Sequence, residues 1–286
     1  MDRKTLLAFG LIAVVLIFTP WYMSLVSPPA KTTAPELQTA KQPQNDPVKP
    51  APVESALKQE GALRFSEKES FVSVKNGFFT ARLSSRGGGS FDSFSFDKYS
   101  RYDSTLVNII DDLNKDNLVL SFVSIDGENI ELTNNWAAVN RSRSINAETR
   151  QQTLVYETVY GGQKIQKTFT FYPNSYEIDL EVSFEEPNTV VSRGQYSLSW
   201  SGGLAPSEKN LKDEYTHFKG YAYLGGELLK PGAPKESSSL EKQTGNTLWT
   251  AVKTKYFLAA IIPETPGTGA EVVGSTKEGR PLYKTS

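Results

Sequence analysis

Beyond about residue 63 the chain alternates between apolar and polar positions. In "YEIDLEVSF" (176–184), Tyr176, Ile178, Leu180, Val182 and Phe184 fall on one side of an extended backbone. Asp179, Glu181 and Ser183 fall on the other. A period of two predicts a strand with one buried and one wet face. "TLVYETVYGGQKIQKTFTFYPNSYEIDLEVSFEE" extends the pattern into three strands, turned at Gly161-Gly162 and again at Pro173-Asn174. "FVSVKNGFFTARLSS" predicts a hairpin about Asn76-Gly77, and "NLVLSFVSIDGENIELT" another about Asp126-Gly127. "GQYSLSWSGG", "EYTHFKGYAYLGG" and "TLWTAVKTKYFLAAIIP" continue the theme. The nearly unbroken apolar run Tyr256 to Ile262 predicts a central strand buried on both faces. No segment after residue 63 carries a sustained 3.6-residue period, and no strict repeat is visible. Short strands with short turns predict a mainly β, antiparallel sandwich over residues 63–286.

Two different patterns precede it. From Thr5 to Val26 there is no charge. As a helix that stretch would be about 33 Å long, enough for a hydrocarbon core of about 30 Å. Leu6, Leu7, Leu11, Ile12, Val15, Leu16 and Phe18 supply its apolar body. The strictly apolar stretch, Leu6 to Phe18, is shorter and also suits the apolar core of a secretory signal. Retention as an anchor is the better account. Trp21 and Tyr22 suit a lipid–water interface, and no small-x-small cleavage site follows. Pro20 argues the other way, because it weakens the outer end of the helix. Arg3 and Lys4 predict a cytoplasmic N-terminus with the remainder outside. The expected organisation is therefore one transmembrane helix at 1–26, a Pro-rich disordered linker at 27–62 and the β domain. The linker has no aromatic residue and too few large aliphatics to offset its ordering entropy.

Composition changes the picture mainly by exclusion. With 31 basic and 32 acidic residues the net charge is -1, which argues against a nucleic-acid partner. There is no cysteine, so disulfides, thiolate catalysis and Cys-ligated zinc are excluded. The single histidine, His217, excludes a His-rich metal site.

Candidate chemistry is sparse. The glycines of "SSRGGGSFDSF" precede a strand rather than a helix, so they predict a flexible turn or bulge and not a phosphate loop. His217 lies beside Asp213 and Glu214 in a predicted strand; a general base is conceivable, a structural or exposed role more ordinary. Asp111-Asp112 and Glu185-Glu186 sit at strand ends and read as surface charge rather than a glycosidase pair or calcium site. Asn140-Arg141-Ser142 matches a glycosylation triplet, a pattern common by chance. Tyr215, Phe218, Tyr221, Tyr223 and Trp249 form the one notable cluster. Either they pack the core, or Tyr221, Tyr223 and Trp249 line a groove for an extended peptide or a sugar.

Several stretches, in order, carry a resemblance. "MDRKTLLAFGLIAVVLIF" and the Pro-rich segment after it resemble the start of the YidC/Oxa/Alb family of membrane protein insertases. "TARLSSRGGGSFDSFSFDKY" with Arg86, Gly87 and Gly88, "KTFTFYPNSYEIDLEVSFEEPN" (167–188), "THFKGYAYLGGE", and "LWTAVKTKYFLAAIIP" with Tyr256, Phe257 and Pro263 are similar to the family's large periplasmic domain. The resemblance implies a β-sandwich of the mutarotase-like superfamily, held by an uncleaved anchor in the inner membrane of a Gram-negative cell. It implies insertion and folding of inner-membrane proteins, alone or with the Sec translocon, and no cofactor, catalytic residue or small-molecule substrate. In the family, insertion belongs to a C-terminal core of five transmembrane helices. The 286 residues reach "EGRPLYKTS" without it, so the β domain is expected to be truncated at its C-terminal end. The alternatives are a stand-alone anchored adaptor module and a sugar-active enzyme on the same sandwich; the lone His217 disfavours the latter.

Overall fold

The computed structural model describes residues 68–111, 115–140 and 142–286. The predicted anchor, with Arg3, Lys4 and the apolar residues from Leu6 to Tyr22, lies outside the described residues, as does the predicted linker. Among the described residues no helix is long and apolar enough to cross a membrane.

The chain runs through β1 (Phe71–Lys75), β2 (Phe79–Ser84), β3 (Ser90–Ser100), β4 (Leu106–Asn108), β5 (Asn117–Ser124) and β6 (Asn129–Glu131). It continues through β7 (Ala137–Ala138), β8 (Ser144–Asn146), β9 (Gln152–Tyr160), β10 (Gln163–Phe171), β11 (Ile178–Phe184) and β12 (Val191–Trp200). It closes with β13 (Lys219–Leu224), β14 (Glu227–Leu229), β15 (Ser239–Lys253), β16 (Leu258–Ile261), β17 (Gly267–Lys277) and β18 (Arg280–Thr285). The helical pieces described are single turns at Pro187–Val190, Leu211–Glu214 and Tyr215–His217. Three sheets result: β4-β3-β2-β1-β8, β11-β10-β9-β7, and a nine-stranded sheet β14-β13-β15-β17-β18-β12-β5-β6 with β16 on β15. Neighbours pair antiparallel except β1 and β8, which are parallel.

One core joins the three sheets. The Phe91 ring of β3 lies edge-on to Phe169 of β10 and within 6.5 Å, centroid to centroid, of Trp200 on β12. Phe122 of β5 meets Tyr160 and Phe184 edge-on. The architecture is mainly β with antiparallel sheets, as the alternation predicts, consistent with a sandwich, around one continuous core of aliphatic and aromatic side chains.

The predicted turns are where the sequence places them. Gly77, Gly127, Gly161 and Gly162 all have positive φ, and Gly161-Gly162 alone joins β9 to β10 as a two-residue turn that needs it at both positions. Two of these turns lock together. Buried Asn76 donates to the carbonyls of Tyr172 and Ser175, and the Asn174 N–H donates to the Asn76 carbonyl at 2.8 Å.

Four expectations need correction. The Gly87–Gly89 turn is buried rather than loose. A Cβ on Gly88 would come within 2.5 Å of the Trp136 ring, and one on Gly89 within 2.4 Å of Phe169. Only glycine permits that approach. The run Tyr256 to Ile262 is not a central strand. β16 pairs with β15 alone, and Tyr256, Leu258 and Ile262 are 59%, 57% and 73% exposed. An apolar run reports affinity for a sheet but not whether a layer covers its second face. His217 stands in an exposed helical turn, not a strand. Asp111 is not surface charge: it is buried in an ion pair with Arg280. Glu185 and Glu186 are exposed, as expected.

Candidate functional site

The aromatic cluster divides between core and surface. Phe218 is buried and meets Tyr215 edge-on. Tyr221 and Tyr223 alternate along β13 with Gly220, Ala222 and Leu224. Ala222 and Leu224 pack with Ala270 and Val272, and Gly220 abuts Tyr283 and Val272. The strand period then puts both tyrosines on the opposite, outward face. On β15, Thr250, Ala251 and Val252 are all buried, while Trp249 and Lys253, on the same face as Ala251, stay half-exposed. Tyr223 and Trp249 are direct cross-strand partners, and their rings stack at 5.8 Å with 19° between planes. Such pairs contribute roughly 0.5–1.5 kcal/mol beyond area burial. The structure thus brings together all three predicted residues on one half-exposed sheet face.

That face has a charged end. Lys219 stands opposite Lys253 across the β13–β15 ladder. At the rim, Lys255 pairs with Asp213 at 2.8 Å. That hydrogen bond raises the lysine above its usual range and holds the Asp213 carboxyl below its own.

Two polar clefts lie elsewhere. Glu69, Ser84, Arg86, Asp92 and Lys115 line one of about 230 Å³. Burial pushes the Asp92 carboxyl up, but hydrogen bonds from Lys115 and Arg82 outweigh it and leave the group below its ordinary value. The other, about 370 Å³, lies between Arg101, Asp111, Pro206 and Arg280. Desolvation lowers Arg280 to about 10. Among the described residues no group of acids and histidine is arranged to hold a metal ion.

One buried group escaped the sequence reading. Lys167 of β10 is fully buried, and its Nζ donates to the carbonyls of Gly87 at 2.6 Å and Leu118 at 2.5 Å. The ammonium also sits 5.2 Å from the Trp136 ring centroid. Desolvation brings its pKa down to about 7. The signal was available: Lys167 shares the two-residue period with Ile165, Phe169 and Phe171, all buried.

The family described as the YidC periplasmic domain matches residues 71–286. The chain belongs to it. A protein of Chlorobaculum parvum named membrane protein insertase YidC is 30% identical over 291 residues, covering 98% of this chain and 49% of its own length. Proteins with the same name from Chlorobium phaeovibrioides and Prosthecochloris aestuarii are each 30% identical, covering 98% and 99% of this chain and 49% of their own lengths. The chain spans about half the length of the curated relatives it matches. On this YidC periplasmic domain, Gly87 and Gly88 form the buried turn before β3 with Arg86 exposed beside them, residues 167–184 lie within the β10–β11 hairpin, and Tyr256 to Pro263 contains the edge strand β16 that borders the aromatic face.

Proposed function

We propose that the chain is the membrane-anchored, periplasmic portion of a membrane protein insertase. The observation that carries this is the family match over residues 71–286, together with relatives of that name aligned over 98% of the chain. In this reading the N-terminal segment holds the chain in the bacterial inner membrane, with the N-terminus in the cytoplasm. The β domain sits in the periplasm on its linker, as a sandwich of the mutarotase-like type without catalytic function. The clients are nascent inner-membrane proteins, reached alone or beside the Sec translocon. The insertion step belongs to a helical core outside these 286 residues. No nucleic acid, cofactor or small-molecule substrate enters the account.

A cell depleted of its own insertase provides the test. The full-length gene that encodes this chain is expected to restore insertion of a model inner-membrane protein, while residues 1–286 alone are expected not to. Insertion of the same client into liposomes containing only the 286-residue chain would overturn the placement of the activity. Failure of the full-length protein to restore insertion would overturn the insertase assignment.

A further inference from the structure

Soluble domains seldom leave a contiguous aromatic face open unless something covers it. Across β14, β13, β15 and β16 the register builds such a face in rows. The first row is Leu228, Tyr223 and Trp249, and the register Thr250↔Ile261 brings the next residue, Ile262, beside Trp249. The second is Tyr221, Ala251 and Ala260, in which Ala251 is buried between half-exposed Tyr221 and exposed Ala260. The third is Lys219, Lys253 and Leu258. No carboxylate occurs in any of the three.

The third row sets the charge that a covering surface would have to match. Like charges placed directly opposite one another destabilise a sheet. Lys219 and Lys253 are so placed, and neither takes part in an ion pair among the described residues. An anionic surface over them would relieve that repulsion. The remaining rows describe what such a surface must also accept: Tyr and Trp rings, amphipathic and half-exposed, beside aliphatic side chains standing free. Aromatic rings at headgroup depth, aliphatics below them and lysines reaching phosphates are the chemistry of a lipid–water interface.

We infer that the outward face of β14, β13, β15 and β16 docks onto an anionic lipid–water interface. Tyr221, Tyr223 and Trp249 lie at headgroup depth, Ile262 and Leu258 enter the acyl boundary, and Lys219 and Lys253 engage lipid phosphates. This rests on the reading of the N-terminal segment as an anchor and residues 27–62 as a tether. A tether makes the contact intramolecular, so a face of low intrinsic affinity suffices. Docking fixes the orientation of the β domain over the bilayer.

The test uses the whole chain in vesicles. Because the chain has no cysteine, Ile262→Cys and Asp126→Cys each give one labelling site for an environment-sensitive fluorophore. Asp126 is an exposed turn residue between β5 and β6, at the other edge of the nine-stranded sheet. The vesicles are phosphatidylethanolamine with phosphatidylglycerol and carry a nitroxide lipid. The fluorophore at 262 is expected to shift to the blue and be quenched, and that at 126 to do neither. Lys219→Gln and Lys253→Gln are expected to lower the docked-to-undocked ratio about five-fold each. Replacing phosphatidylglycerol by phosphatidylcholine is expected to lower it further. Equal quenching at both positions, or a water-like signal at 262, overturns the inference. So does a shift at 262 that appears only on adding an apolar peptide, which would make the face a polypeptide site. Resistance of the chain to alkaline extraction reports the anchor separately, so loss of the anchor and loss of docking are distinguishable.

Discussion

Lys167 is the residue at which the interior is most sharply defined. A buried ammonium is costly unless its donors are used. Here two of them hold backbone that is itself unusual. Gly87 has φ 60°, and Leu118 has φ 56°, an uncommon conformation for a leucine. Tyr156 faces Lys167 across the β9–β10 ladder, and burial pushes its phenol well up, so it stays neutral around the lysine. The sign of the pH effect follows from the lysine. Its folded pKa, about 7, lies below the ordinary 10.5. Between those values the unfolded chain holds a proton that the folded chain has shed, so stability rises with pH across the window. The expected slope is roughly 1 kcal/mol per pH unit. Urea unfolding of the detergent-solubilised chain at a series of pH values would measure it. Lys167→Met is expected to remove this dependence and to cost about 2 kcal/mol at the alkaline end, where two carbonyls lose their donor. Identical slopes in parent and variant would show that the lysine is not the titrating group.

At the scale of elements, alternation and turn chemistry are local, and both were legible. The β9–β10–β11 meander can be read from "TLVYETVYGGQKIQKTFTFYPNSYEIDLEVSFEE" because each strand carries its own period and each turn its own glycine or Pro-Asn pair. What was not legible depends on partners distant in sequence. Asp111 looks like a solvated strand-end acid until β18 brings Arg280 to it, 169 positions later. The run Tyr256 to Ile262 looks like a buried strand because nothing local reveals that its outer face lacks a covering layer. The candidate site shows the same division: Tyr221, Tyr223 and Trp249 stand out as a cluster, but only the register shows that they share a face with Lys219 and Lys253. The Asp111–Arg280 pair, which also directs a guanidinium N–H to the Leu204 carbonyl at 2.6 Å, ties β18 to the chain after β4. Asp111→Asn strands a buried guanidinium and is expected to destabilise the domain by about 3–5 kcal/mol. Chemical denaturation would measure the loss, and a change below about 1 kcal/mol would mean that the pair is not a structural tie.

At the scale of the whole molecule, the described residues belong to the YidC periplasmic domain family. The proposals place that domain outside the cytoplasm, attached by its N-terminal segment and resting an aromatic, lysine-edged face on the bilayer. All of them depend on one topology. Protease treatment of spheroplasts expressing the chain, with the inner membrane then pelleted and extracted at alkaline pH, tests it most directly. The account predicts that the chain stays in the extracted membrane and that protease added to spheroplasts, but not to intact cells, destroys the β domain. A chain released by alkali, or a β domain that resists protease until the inner membrane is opened, would contradict it.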